Sequence, residues 1–382
     1  MRIVCGLDVH KDSVFVCILN EKGEKFEAKY GVLTPELEEL HQLLLTHEVK
    51  EVTMESTSIY WHPIWRILGD IECLKLVNPY FIKQLPGRKS DVRDAAWIAE
   101  CTMKDLIRGS FVPDATVQRM RQYNRIFDLN KEKVYKLTKL DALLHRCNIR
   151  ISNYVSSIDS KSYKEVVRLL SEGIVDAERL MEAIHGRTVN RVGKDVIRAA
   201  LAGVVNEVDI DLIRQYREEL LIDDKHLKEC QNKLTEICRN EFPKEFENLQ
   251  TIPGVKERSA TSILSELGAD MKMFLTASAL VSWCGLKPRN EESAGKIKSR
   301  RITHGNKYIR KTMIECAWGA SRTQDCFYSN FSYIQTVVRR KNAMKVKVAI
   351  ARKMLVAIWH VLSENVPYND YKKPKAIADG NS

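Results

Sequence analysis

Ile3, Val4, Cys5 and Leu7 make an apolar run that Asp8 closes, and Val14, Val16, Ile18 and Leu19 make a second. Two such runs joined by Asp8, His10, Lys11 and Asp12 predict strands near 2–8 and 13–19 with a polar turn between them. A third strand is predicted near 25–31. "TPELEELHQLLL" (34–45) then starts with an N-cap Thr, Thr34, and an acidic first turn, the signature of a helix start. "EVTMES" (51–56) and "CLKLVN" (73–78) are short strands. "IYWHPIWRIL" (59–68) is a helix bent or begun at Pro63, and "DVRDAAWIAECTMKDLI" (91–107) is an amphipathic helix. Three meandering strands followed by strand–helix alternation predict an α/β domain of the ribonuclease-H-like, or RuvC-like, class over residues 1–112.

The pattern changes after residue 113. Phe127, Val134, Leu137, Leu144 and Ile151 follow three-and-four spacing, and Ile213, Leu220, Leu227 and Leu234 stand seven apart with Tyr216, Cys230 and Ile237 three residues on. This is a heptad seam interrupted by Asp223, so residues 113–245 read as an all-α coiled-coil region that pairs either within one chain or between two. In "LQTIPGVKERSATSILSELG" (249–268) a Pro-Gly-Val turn joins two helices in the manner of a helix-hairpin-helix. Backbone N–H groups near Pro253 and Gly254 could there meet a phosphate, although a plain helical hairpin has the same pattern. Residues 246–372 form a mostly α C-terminal region, and 373–382 are a polar tail. The stretch 339–362 is helical, basic on one face and apolar on the other, so that Lys345 and Lys347 read as part of a solvated basic face.

Composition narrows the partner. The 382 residues carry a net charge of +11, which favours a polyanion, nucleic acid before membrane. From Lys287 to Lys311 there are nine Lys or Arg against two Glu. Ten cysteines include no C-x-x-C pair, which argues against a zinc site and for small buried hydrophobes in a reducing compartment. No apolar run reaches bilayer length and no signal-peptide core is present, so a cytoplasmic, soluble protein is expected.

Four acidic residues then stand out. Asp8 ends the first strand, Glu55 ends the fourth, and Asp91 and Asp94 share one face at the start of a helix. Each alone has an ordinary explanation, such as a turn, a surface charge or a helix N-terminal carboxylate. Adjacent first and fourth strands would nevertheless set Asp8 beside Glu55, with the helix bringing Asp91 and Asp94 over them. Four carboxylates at one place call for cations. Hard, oxygen-preferring Mg²⁺ or Mn²⁺ fits, and two such ions about 4 Å apart suit phosphoryl transfer.

The ordered set "GLDVHKD", "MESTSIYW", "KSDVRDAAWIA" and "WCGLKPRNEESAGKIKSRRITHGNKYIRKTMIE" resembles the bridge-RNA-guided transposases of bacterial insertion sequences (the IS one-ten type), with the Piv/MooV DNA invertases as relatives. The resemblance runs from Ile3 to about Tyr368. It implies a DEDD tetrad at Asp8, Glu55, Asp91 and Asp94, and a nucleophilic serine at Ser293, where "ESAGK" has an extra Ala before the glycine and leaves Ser299 as the next candidate. It also implies a phosphoserine link to DNA, a structured guide RNA pairing with donor and target duplexes, and a homodimer or tetramer in which carboxylates and serine come from different protomers.

Around Ser293, the cations Arg289, Lys296 and Lys298 suit a phosphate, and Lys287, Arg300, Arg301, Lys307 and Arg310 read as backbone contacts that give affinity rather than sequence choice. Tyr60, Trp61 and Trp65 beside Glu55 read as core packing ahead of base stacking. The expected function is a metal-dependent, serine-using DNA recombinase. The alternatives are a nuclease or Holliday-junction resolvase without a covalent intermediate, and a non-catalytic nucleic-acid scaffold.

Overall fold

The computed structural model describes residues 1–79, 94–107, 109–123, 125–288, 291–293, 296–299 and 301–370, with backbone alone at 291–293 and 296–299. It divides into two compact units, Met1–Val112 and Pro113–Ser382.

The first unit is a five-stranded sheet. β1 (Ile3–Val9), β2 (Val14–Asn20) and β3 (Lys25–Tyr30) form an antiparallel meander. β4 (Glu51–Glu55) and β5 (Cys73–Val77) then add in parallel on the other side of β1. The spatial order β3-β2-β1-β4-β5 is compatible with a ribonuclease-H-like fold. The helices are α1 (Thr34–Thr46), α2 (Trp61–Ile67) and α3 (Asp94–Met103); the N-cap of α1 is Leu33 rather than Thr34, because Glu36 reaches back to accept from the Leu33 nitrogen at 2.9 Å.

Strand alternation sorts the side chains onto two faces. Cys5, Leu7, Val9, Val52 and Met54 point to the α1 side, where Leu37, Leu40, Leu44 and Ile64 complete the core. Tyr60, Trp61 and Trp65 pack partly buried against this core, as the sequence pattern suggests. Val4, Cys17 and Leu19 point to the opposite face and meet Ala95, Ala96 and Ala99 of α3. Small side chains on that helix let it lie close to the sheet.

The second unit is mostly helical. After α4 (Ala115–Gln122), the long helices α5 (Arg125–Arg146) and α10 (Glu207–Glu241) pack on one another. Between them run α6 (Lys161–Ser171), α7 (Ala177–Met181), α8 (Gly186–Val192) and α9 (Lys194–Leu201). The N-terminal half of the heptad seam is used inside the chain: Ile213, Tyr216 and Leu220 join a core with Leu140, Leu144, Tyr163 and Val166. Asp223, the break in the seam, is buried and accepts from Lys136 Nζ of α5 at 2.9 Å, so the polar residue is an internal ion pair. α11 (Pro243–Gln250), α12 (Glu257–Leu267), α13 (Ala277–Trp283), the hairpin β6 (Glu291–Ser293)–β7 (Lys296–Ser299), α14 (Lys307–Ala320), α15 (Phe327–Tyr333) and α16 (Ala343–Glu364) follow. A π-helical turn, Ile334–Val338, separates the last two helices, so the basic amphipathic helix begins at Ala343 rather than 339.

Pro253 and Gly254 lie between α11 and α12, and the turn packs closely on α14. Gly254 has φ +85°, and a Cβ there would stand 2.4 Å from the Cys316 carbonyl oxygen and 2.5 Å from the Ala320 nitrogen of α14. Lys347 also departs from expectation. It is buried, with Nζ 3.1 Å from Ser332 Oγ and 4.9 Å from the Trp318 ring centroid; burial, then Arg322, holds its amine below the usual lysine range. Lys345 is exposed. All ten cysteines are free, and eight of them are buried. Among the described residues no helix is long and apolar enough to cross a membrane.

Candidate functional site

β1 and β4 run parallel, and their pairing extends as far as Leu7 opposite Met54. One residue further along the same register stand Asp8 and Glu55. Both have the parity of Val4 and Thr53, so both face α3 rather than α1. Asp8 is buried and Glu55 half-buried at the carboxyl ends of their strands.

Two sets of interactions fix the direction of α3 across this face. At one end Gly6 leaves room for the helix: a Cβ there would be 2.2 Å from the Ala95 carbonyl oxygen and 2.5 Å from the Ala99 nitrogen. At the other end Arg2 acts as a clamp. Its guanidinium donates to the Thr102 and Met103 carbonyls at 3.3 and 3.2 Å, to Asp105 at 2.7 Å and to Glu51 at 2.8 Å. Lys75 donates to the other Glu51 oxygen. Burial alone would raise the Glu51 carboxyl, but Lys75 and Arg2 outweigh it and hold it below its ordinary range. The C-terminal end of α3 is thereby tied to the starts of β1 and β4, and its first turn, carrying Asp94, lies toward their carboxyl ends. Asp8, Glu55 and Asp94 thus occupy one face at one end of the sheet. Asp91 lies outside the described residues.

The local partners of these acids are specific. His10 Nε2 is 3.1 Å from Asp8 Oδ2, and its ring packs edge-on to Phe15 with centroids 5.7 Å apart. Thr57 Oγ1 donates to Glu55 Oε1 at 3.3 Å. Asp8, Glu55 and Asp94 offer carboxylate oxygens, a donor type that suits a hard divalent cation rather than zinc. Among the described residues no three His, Cys, Asp or Glu side chains form a metal-holding group by themselves.

Ser293 sits at the end of β6, on a hairpin whose base is closed by two glycines. A Cβ on Gly285, at φ +70°, would be 2.8 Å from the Gly305 nitrogen, and one on Gly305 would be 2.3 Å from the Gly285 nitrogen. Above this clasp Thr303 N donates to Lys287 O at 2.9 Å, and Pro288 pairs with Ile302. Ser299 ends β7 opposite Glu291. Asn306 caps α14 by accepting from the Tyr308 and Ile309 nitrogens at 2.9 and 3.2 Å, which turns Lys307 and Arg310 into the first turn of that helix. Lys287, Arg301 and Lys307 are exposed and Arg310 half-buried. The side chains of Ser293, Lys296, Lys298 and Ser299, and Arg289 and Arg300 altogether, lie outside the described residues.

The sequence reading did not single out Gly6, the Arg2–Glu51–Lys75 clamp or the Gly285–Gly305 clasp. A glycine inside a strand pattern is the signal for close backbone approach that Gly6 carries. The other two are long-range pairings with no local signature.

Comparison with known proteins gives two domain matches. Residues 5–149 match the family DEDD_Tnp_IS110, described as a transposase, and residues 246–331 match Transposase_20, described as the Transposase IS116/IS110/IS902 family. A Pseudomonas aeruginosa protein named as a family 20 transposase is 23% identical over 326 residues, covering 83% of this chain and 85% of its own. The Sinorhizobium fredii transposase y4pF/y4sB is 23% identical over 306 residues, covering 77% of this chain and 68% of its own. A solved exopolyphosphatase from Cytophaga hutchinsonii overlaps 60% of this chain and 91% of its own at 13% identity and a TM-score of 0.17.

Proposed function

We propose, from the match of residues 5–149 and 246–331 to transposase families of the IS110 group, that this protein cuts and rejoins double-stranded DNA through a serine–phosphate link. The observation that supports the reading best is the placement of Asp8, Glu55 and Asp94 on one face and at one end of the sheet.

In this reading Asp8, Glu55 and Asp94, with Asp91, would hold Mg²⁺ or Mn²⁺, in a two-ion site. When bound, such ions offset phosphate charge and lower the pKa of an attacking hydroxyl. Ser293 Oγ attacks the scissile phosphorus. A serine–phosphate bond forms as the bond from phosphorus to the departing sugar oxygen breaks. The serine proton passes to a base and the departing oxygen takes one up, so the number of phosphoester bonds is unchanged. Attack by a sugar hydroxyl of another strand reverses the step and releases the serine. A hydroxyl is a weak nucleophile until activated, which is why the serine and the acidic face have to act together. Lys287, Arg289, Lys296, Lys298, Arg300, Arg301, Lys307 and Arg310 hold DNA backbone phosphates. A structured guide RNA selects donor and target, and the carboxylates and serine are brought together in a homodimer or tetramer.

Trapping on DNA tests the covalent step. Wild-type protein should leave a denaturation-resistant protein–DNA adduct that Ser293→Ala abolishes together with recombination. Cutting that persists in Ser293→Ala with no adduct would instead make the protein a water-using nuclease or resolvase. Loss of the adduct only in Ser299→Ala would move the nucleophile to that residue. Sequencing of RNA that copurifies tests the guide: absence of a discrete species would remove it from the account.

A further inference from the structure

The helical unit contains a groove of about 1640 Å³ that runs along α16 and is walled by the segment 301–304 on one side and by α15 and residues 366–370 on the other. This is larger than the roughly 300–1,000 Å³ of small-molecule sites. Its floor is apolar and small: Ala349, Val356 and Ala357 lie along α16, with Val356 36% exposed. Its charges have a period. Lys345, Arg352 and His360 stand on the same exposed stripe of the helix as Ala349 and Val356. From Lys345 to His360 the stripe is on the order of 22 Å long at 1.5 Å per residue.

The groove is cationic. Five Lys or Arg line it (Arg301, Arg310, Lys345, Arg352, Lys353) against two acids, Glu364 and Asp370. Both acids are engaged, Glu364 with His360 at 2.9 Å and Asp370 with the Phe327 nitrogen at 2.7 Å. Among the described residues Arg310, Lys345 and Arg352 have no ion-pair partner. Thr303 Oγ1, on the wall, has no hydrogen-bond partner there either. Pro288 and Ile302, which close the base of the Ser293 hairpin, belong to the same wall.

A duplex presents phosphates outside and hides its bases, so it has no use for an apolar floor between cations. An unpaired strand presents both: phosphates for Lys345 and Arg352, and the faces of bases or sugars for Ala349, Val356 and Ala357. The geometry points to this groove as a seat for an unpaired nucleic-acid strand, beside the hairpin that carries Ser293. The inference extends the DNA-cutting reading and rests on it for its biological meaning. The chemistry is common to a displaced DNA strand and to a single-stranded stretch of RNA.

The test uses the full chain in EDTA, so that the acidic face and its metals play no part and a failure of the serine–metal mechanism cannot be confused with a failure here. Fluorescence anisotropy is read with labelled dT12, rU12 and a mixed-sequence 12-base-pair duplex. Lys345→Glu with Arg352→Glu should weaken dT12 or rU12 binding at least tenfold, with the duplex changed less than twofold. The same variant should lower the salt slope by roughly 0.7 for each single-strand phosphate that is no longer neutralised. Ala349→Phe, which fills the floor without altering charge, should weaken the single strands alone. The tighter of dT12 and rU12 identifies the strand that the groove takes. Equal weakening for single strands and duplex, no weakening in either variant, or equally tight binding of oligoglutamate of the same charge would overturn the proposal. Circular dichroism of each variant checks the fold, and the two independent variants keep the test open if one does not fold.

Discussion

Gly6 and Ala95 approach so closely that no side chain fits between them: a Cβ on the β1 glycine would lie 2.2 Å from the helix carbonyl oxygen. That approach seats the first turn of α3 on the strand two residues before Asp8, and it sets where Asp94 can go. Gly6→Ala should lift the helix, cost about 1–3 kcal/mol as an overpacked core does, and abolish DNA cutting, since the acidic face separates. Thermal denaturation and a cleavage assay check the two effects together.

The other end of α3 gives a pH prediction. Glu51 is held below its ordinary value of 4.5 by Lys75 and Arg2 against the opposing effect of burial. A carboxylate depressed in the folded state contributes stability that is complete above its unfolded pKa and is lost as pH falls through the folded pKa. Glu51→Gln should therefore destabilise the protein by about 1–3 kcal/mol at neutral pH, with the difference from wild type shrinking below about pH 4.5. Urea denaturation at pH 7 and at successively lower pH measures it.

Thr53 offers a change of the opposite sign. Its hydroxyl is fully buried on the α3 face and has no hydrogen-bond partner among the described residues. Thr53→Val removes an unsatisfied polar atom and keeps the shape, so it should stabilise by up to about 1 kcal/mol. A rise in the urea midpoint with unchanged slope would show it.

Much of this architecture is legible in the chain. The alternation of Val4, Cys5, Leu7 with Val14, Val16, Ile18 marks two strands, and the acidic first turn of "TPELEE" marks α1, because these signals are local and periodic. The positions of Asp8 and Glu55 at strand ends are readable for the same reason. What stays hidden depends on partners far away in sequence. "PGV" has the form of a helix-joining turn, and its close packing of Gly254 on the backbone of α14 has no local signature. Asp223 breaks a heptad in sequence, yet Lys136, 87 residues earlier, turns the break into a buried pair. Lys347 looks like one more cation of a basic face until Ser332 and Trp318 close over it.

The pairing of Asp223 with Lys136 has its own consequence. Asp223→Ala leaves the Lys136 ammonium with only the more exposed Glu219 carboxylate, 3.5 Å away, and should cost about 1–2 kcal/mol, whereas Asp223→Leu with Lys136→Leu together should cost less, because both charges leave the interface. A double-mutant cycle in urea separates the two, and a large cost for the double variant would show that the pair is needed for more than burial.

Anomalous diffraction from crystals soaked in Mn²⁺ in the presence of a DNA strand tests whether the acidic face holds metal. Peaks ligated by Asp8 and Glu55 oxygens with Asp94 beside them are expected, and they should be absent in Asp8→Asn. Ordered DNA with no anomalous peak at these carboxylates, or Asp8 and Glu55 directed apart, would contradict a metal-holding acidic face.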